Sequence, residues 1–75
     1  MAKVKGFAYD VMVFDTENVE VTNPFSGDSI ELTPEEVAVY DLTKGAEMFG
    51  QYDIVRAGIE WFRKYNAKAY MVLLD

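Results

Sequence analysis

Val19-Glu20-Val21-Thr22, Asn23-Pro24-Phe25-Ser26-Gly27-Asp28, Ser29-Ile30-Glu31-Leu32 and Thr33-Pro34-Glu35-Glu36 follow one another without a gap, and their reading decides the fold. The first and third groups alternate apolar and polar residues, the period of a half-buried strand. Between them lies dense turn chemistry. Asparagine before proline starts a turn, proline fixes φ, and Gly27 takes positive φ without steric cost. Residues 19–32 therefore read as a β-hairpin. The fourth group is a helix start, with threonine at the N-cap, proline at N1 and a glutamate at N3 that can return to the threonine N–H.

Working outward from the cap, Val39, Leu42, Ala46 and Phe49 recur at helical spacing and define an apolar face. Gly45 weakens this helix by up to ~1 kcal/mol against alanine, and Gly50 is its expected stop. A second helix is expected over 51–65. Val55, Ile59 and Phe62 form one apolar row on it, and Ile54, Gly58, Trp61 and Tyr65 form the next, while Glu60 and Lys64 make an i,i+4 pair on the far side. Asn66 can end this helix. The run Ala69-Tyr70-Met71-Val72-Leu73-Leu74 is too short for periodicity to separate helix from strand. Asn66 as an N-cap favours a short helix; Val72 and the short length favour the strand alternative. Upstream of the hairpin, residues 4–14 alternate, with Phe7, Tyr9, Val11 and Val13 on one face and Ala8, Asp10, Met12 and Phe14 on the other. That pattern predicts a strand covered on both sides. The expectation is a single α+β domain over 1–75: a three-stranded antiparallel meander packed on a helical hairpin, plus a short C-terminal helix.

Composition limits what such a domain can do. A chain of 75 residues buries only about 60% of its unfolded surface, and without cysteine or histidine it has neither disulfides nor a Cys/His zinc site to brace it. Thirteen acids against seven bases give a net charge of −6, which argues against binding a DNA or RNA polymer, since backbone affinity needs a basic patch. No apolar run approaches the ~20 residues of a membrane span. Asp10 and Asp15 interrupt any signal-peptide core, so a cytoplasmic protein is expected.

The chemistry-bearing constellations are few. Lacking the commonest general base and the best nucleophile, the chain is not expected to be an enzyme. Glu35-Glu36 offsets a helix macrodipole, and Asp15, Glu17, Asn18 and Glu20 lack the spacing of a calcium loop, so no metal and no cofactor is expected. The loop Asn23–Ser29 combines amides, hydroxyls and a ring. It is either a hairpin turn with Phe25 folded back on the core, or a loop that also contacts a ligand through Asn23, Phe25, Ser26 and Gly27 and a nest of backbone N–H groups. Arg56 and Arg63 lie two turns apart on one side of the second helix, as surface ion-pair partners or as cations facing an anionic ligand. Tyr40, Phe49, Tyr52, Trp61, Phe62, Tyr65 and Tyr70 exceed what so small a core should absorb. An apolar surplus of this kind marks an interaction surface, and Ile54, Ile59, Trp61, Phe62 and Tyr65 are the expected interface of a homo-oligomer, dimer or tetramer.

The run 23–35 from Asn23 to Glu35, then Val39-Tyr40-Asp41, Trp61-Phe62 and residues 69–75, resembles a family of very small proteins of tailed bacteriophages, over about residues 20–75. Most members of that family have no assigned function. The resemblance, with the size and the aromatic surplus, implies a non-enzymatic phage protein of the host cytoplasm. Among small oligomeric phage proteins are anti-CBASS sponges, which hold a cyclic dinucleotide immune signal within a multimer. On that reading Asn23, Phe25, Ser26, Gly27, Tyr40, Arg56 and Arg63 are the ligand contacts. The alternatives are an acidic module that binds a host protein and a minor virion or assembly component.

Overall fold

Thr33 starts a helix as its neighbours require. Its hydroxyl accepts from the Glu36 N–H at 3.3 Å, while Glu36 Oε1 accepts from the Thr33 N–H at 2.9 Å, closing the capping box. The computed structural model describes residues 2–74. Helix α1 spans Pro34–Met48 and α2 spans Tyr52–Tyr65. The corner between them is closed by Gly50 at φ 71° and by the Gln51 N–H donating to the Ala46 carbonyl at 2.9 Å.

Strands β3 (Val19–Thr22) and β4 (Ser29–Leu32) form the expected hairpin. Its register puts Val19 opposite Leu32 and Val21 opposite Ile30 on the inner face, and Glu20 opposite Glu31 and Thr22 opposite Ser29 on the outer one. The inner four meet the helices, with Leu32 completely buried.

The third strand of the meander does not join. Strand β1 (Ala2–Lys3) pairs only with β2 (Asp10–Val11), as a separate antiparallel ladder with Ala2 opposite Val11. Gly6 at φ 81° and the bond from the Phe7 N–H to the Val4 carbonyl at 3.0 Å fold the segment back on itself. Phe7 and Val11 of the expected inner face are buried, yet Val13 is exposed, and all four residues of the other face, Ala8, Asp10, Met12 and Phe14, lie in solvent. Val4, Phe7 and Val11 bury instead, at spacings of three and four rather than two. The chain is α+β, with two two-stranded ladders in place of one three-stranded sheet.

Trp61 and Phe62 hold the centre. Phe62 is fully buried, its ring 5.0 Å from that of Trp61, and the Trp61 Nε1–H donates to the Lys5 carbonyl at 2.8 Å. This bond fastens the N-terminal segment to α2. The two helices meet where Gly58 faces Thr43: a Cβ on Gly58 would occupy the place of the threonine hydroxyl. Thr43 is itself wholly buried and donates to the Val39 carbonyl at 2.7 Å. Phe49, expected on the buried face of α1, is 81% exposed. It is the C-cap residue, past the last turn, where helical periodicity no longer sets its direction.

The C-terminal segment is helical. Helix α3 (Ala67–Ala69) continues as a π-helical turn over Tyr70–Leu74, so the strand alternative falls. Asn66 both closes α2 and opens α3. Its N–H donates to the Phe62 carbonyl at 2.8 Å and its Oδ1 accepts from the Ala69 N–H at 3.1 Å. Its Nδ2 also donates to Glu36 Oε2 at 3.0 Å, so one carboxylate ties the start of α1 to the start of α3.

Candidate functional site

Two adjoining concavities contain five of the seven residues that the sequence names as ligand contacts. The first is a cleft of about 250 Å³ between the hairpin loop, α1, α2 and the C-terminal turn, lined by Asn23, Pro24, Phe25, Tyr40, Thr43, Lys44, Glu47, Val55, Ile59, Leu73 and Leu74. The second is a shallow face of about 450 Å³ along α2, lined by Tyr52, Val55, Arg56, Ile59, Glu60 and Arg63. Val55 and Ile59 form the wall common to both. The expected ligand set is thus divided: Asn23, Phe25 and Tyr40 in the cleft, Arg56 and Arg63 on the face.

Ser26 and Gly27 line neither concavity. The anion nest, one of the two readings of their loop, is not available, because the N–H groups of Asn23, Phe25, Gly27 and Asp28 are already committed. Asn23 N–H donates to the Asp28 carbonyl and Gly27 N–H to the Asn23 carbonyl, both at 2.8 Å. Phe25 N–H donates to Asn23 Oδ1 at 2.9 Å and Asp28 N–H to Ser26 Oγ at 3.2 Å. Asn23 Nδ2 crosses to the Val72 carbonyl at 2.9 Å, which fastens the loop to the C-terminal turn. Phe25 does not fold back on the core: it is 96% exposed, at the mouth of the cleft.

Charge is distributed unevenly. Residues 10–41 hold nine of the thirteen acids and none of the bases, whereas residues 56–68 hold four of the seven bases, Arg56, Arg63, Lys64 and Lys68, against the single acid Glu60. Four less one leaves +3 on that segment, a local excess of the kind an anion needs in a chain of net −6. Among the described residues the ion pairs are Lys3 with Asp10 at 3.6 Å and Lys44 with Glu47 at 3.9 Å, so neither arginine is engaged by a carboxylate there. Arg63 lies 5.5 Å from the centre of the Tyr70 ring, a cation–π distance. Tyr52, at the N-terminal end of the same face, is 70% exposed.

In the cleft, burial, followed by the charges of Asp41 and Glu47, pushes the Tyr40 phenol above its ordinary value, so it stays a neutral donor. The polar groups here can bind; they include no base–nucleophile pair. Among the described residues no cluster of three or more acidic side chains could hold a metal ion, and no helix is long and apolar enough to cross a membrane.

The expected interface needs correction. Trp61 and Phe62 belong to the core, because the N-terminal segment and α3 cover them, and neither is available to a partner in the folded chain. Ile54 and Ile59 are half-buried, and Tyr65 is 42% exposed beside Gly6. The large apolar side chains in solvent are others, chiefly Phe14, Phe25, Met48, Phe49, Tyr52 and Met71. Met48 and Phe49 had a local signal, since they precede the glycine that stops the helix. Phe14 and Met71 had none. No family model, no curated protein and no solved structure matches the chain.

Proposed function

We propose that the protein works by binding without chemistry, as a self-associating phage protein that sequesters an anionic, ring-bearing ligand, with a cyclic dinucleotide immune signal as the ligand class. The observation that carries the reading is the outward face of α2, where Tyr52, Arg56 and Arg63 stand together over the apolar side chains of Val55 and Ile59. Arginine offers a planar fork to phosphate oxygens, and a base stacked on a tyrosine contributes about 1–3 kcal/mol. The excess of bases over 56–68 supplies the local attraction that the net charge opposes at long range. The face is shallow, so a second copy is needed to enclose a ligand there.

Isothermal titration with a panel of cyclic dinucleotides tests it. Binding below about 10 μM is expected, and Arg56→Ala or Arg63→Ala should weaken it by about 1.5–3 kcal/mol, the worth of a charged hydrogen bond, with assembly intact. A folded, oligomeric protein that binds none of the panel refutes the ligand.

The rival reading is an acidic module for a basic host protein, favoured by the outer face of the hairpin. Glu20 stands directly opposite Glu31 there, a like-charge pair that costs stability and that a basic partner would relieve. Retention of a host protein by the wild type, lost on Glu31→Lys, would favour this module.

A further inference from the structure

Phe25 is displayed on a turn built to hold it still. Its own N–H is bound by Asn23 Oδ1, the Asn23 amide is anchored on Val72, and the Gly27 N–H closes the turn on the Asn23 carbonyl. A phenylalanine at 96% exposure on so ordered a support is a partly pre-organised anchor, since the backbone share of the ordering cost of binding is already met. Beside it opens the 250 Å³ cleft, whose walls include the apolar side chains of Val55, Ile59, Leu73 and Leu74.

We propose that this chain pairs with a second copy of itself about a two-fold axis, the Phe25 ring of each copy entering the cleft of the other. The proposal deepens the self-association in the reading above and rests on it. A knob and a hole on one patch make that patch self-complementary, the requirement of an isologous interface. The rim adds charge complementarity. Lys44 and Glu47 sit together on the cleft at 3.9 Å, and a two-fold can place Lys44 of one copy against Glu47 of the other. Area is consistent with this. Each ring offers on the order of 200 Å², so two rings and the walls they cover bury roughly 800 Å² before the rims are counted, against the ~1,200–2,000 Å² of a stable interface. The isolated chain exposes 5097 Å², about 10% more than a monomer of its mass should.

Sedimentation velocity from about 5 to 200 μM tests the arrangement. The wild type should pass from the chain mass to twice that mass, and Phe25→Ala should raise the dissociation constant at least tenfold while its circular dichroism melt at low concentration is unchanged. Val55→Trp fills the cleft and should also dissociate the dimer. Mixed with Phe25→Ala, it should associate more tightly than either variant alone, because one intact knob then meets one intact hole. Should Val55→Trp fail to fold, Lys44→Glu must weaken the dimer and Lys44→Glu/Glu47→Lys must restore it. A dimer indifferent to Phe25→Ala overturns this interface and leaves self-association standing; a wild type monomeric at 200 μM overturns both.

Discussion

Gly58→Ala is the sharpest test of how α1 and α2 meet. By intrinsic propensity alone, the change should stabilise an interior helical position by up to ~1 kcal/mol. The structure reverses that sign. The new methyl would fall on the Thr43 hydroxyl, with Thr43 Cβ at 2.9 Å and Cγ2 at 3.0 Å from it, and Thr43 is completely buried. Threonine is stiff about χ1, and rotating it away breaks its bond to the Val39 carbonyl. Leaving a buried hydroxyl unpaired costs about 1–3 kcal/mol, and forcing the helices apart costs a similar amount. Either response, less a propensity gain of up to ~1 kcal/mol, leaves a net loss of roughly 0–3 kcal/mol, a fall in Tm of roughly 4–8 °C for each kcal/mol. Urea and thermal unfolding followed by circular dichroism measure it. Thr43→Ala removes most of the obstruction, so the double variant should be more stable than the two single losses predict, by at least about 1 kcal/mol. A stabilised Gly58→Ala, or strict additivity with Thr43→Ala, would show that the helices do not touch through this pair.

Other substitutions address the remaining joints. Asn66→Ala removes the α3 cap and the link to Glu36 and should cost about 2 kcal/mol in urea unfolding; Asn66→Asp keeps the capping oxygen but sets a carboxylate against Glu36, and a variant as stable as wild type at neutral pH would contradict the observed contact. Burial, then the charge of Asp15, holds the Asp41 carboxyl above its ordinary 3.8. The folded state therefore binds that proton more tightly than the unfolded chain, so this site favours folding at low pH and opposes it as pH rises past 3.8. Asp41 is exposed, so solvent screens the effect, and Asp41→Asn should raise Tm only slightly at pH 7, with the gain fading in acid below the ordinary value; a gain that grows on acidification would show the sign to be wrong. Glu31→Lys replaces the like pair with Glu20 by an opposite pair and should stabilise the hairpin by about 0.2–1 kcal/mol, read as a higher melting temperature at low salt.

What was legible in the sequence is what local chemistry decides. Thr33 and Glu36 form the cap that their spacing requires, Gly27 and Gly50 take the positive φ that turn and stop demand, and Asn66 ends one helix and begins another. Residues 4–14 depart from the expected strand because period two is only a statement about side chains. Gly6 turns the backbone, and Trp61, fifty-six residues away, reaches back to the Lys5 carbonyl, a contact that no short window contains. Part of the cover of Trp61 and Phe62 comes from that N-terminal segment, far off along the chain, and part from α3, which turns back onto α2 just past Asn66. At the candidate site, the seven-residue helical spacing sets Arg56 and Arg63 along one face of α2, and Asn23, Phe25 and Tyr40 line one cleft. The loop nest fails because backbone carbonyls and side chains within the loop already accept from the N–H groups of Asn23, Phe25, Gly27 and Asp28.

The two longest-range hydrogen bonds among the described residues have a kinetic consequence. The hairpin and α1 are neighbours in sequence and can form from local contacts, whereas the Trp61–Lys5 bond joins residues 56 apart and the Asn23–Val72 bond residues 49 apart. Loop-closure entropy must be met before such contacts stabilise anything, so both belong on the native side of the folding barrier. Weakening either, by Trp61→Phe or Asn23→Ala, should leave the refolding rate nearly untouched and quicken unfolding instead. These two fastenings therefore set how long a folded molecule lasts, while the hairpin and the capped helix set how soon one appears.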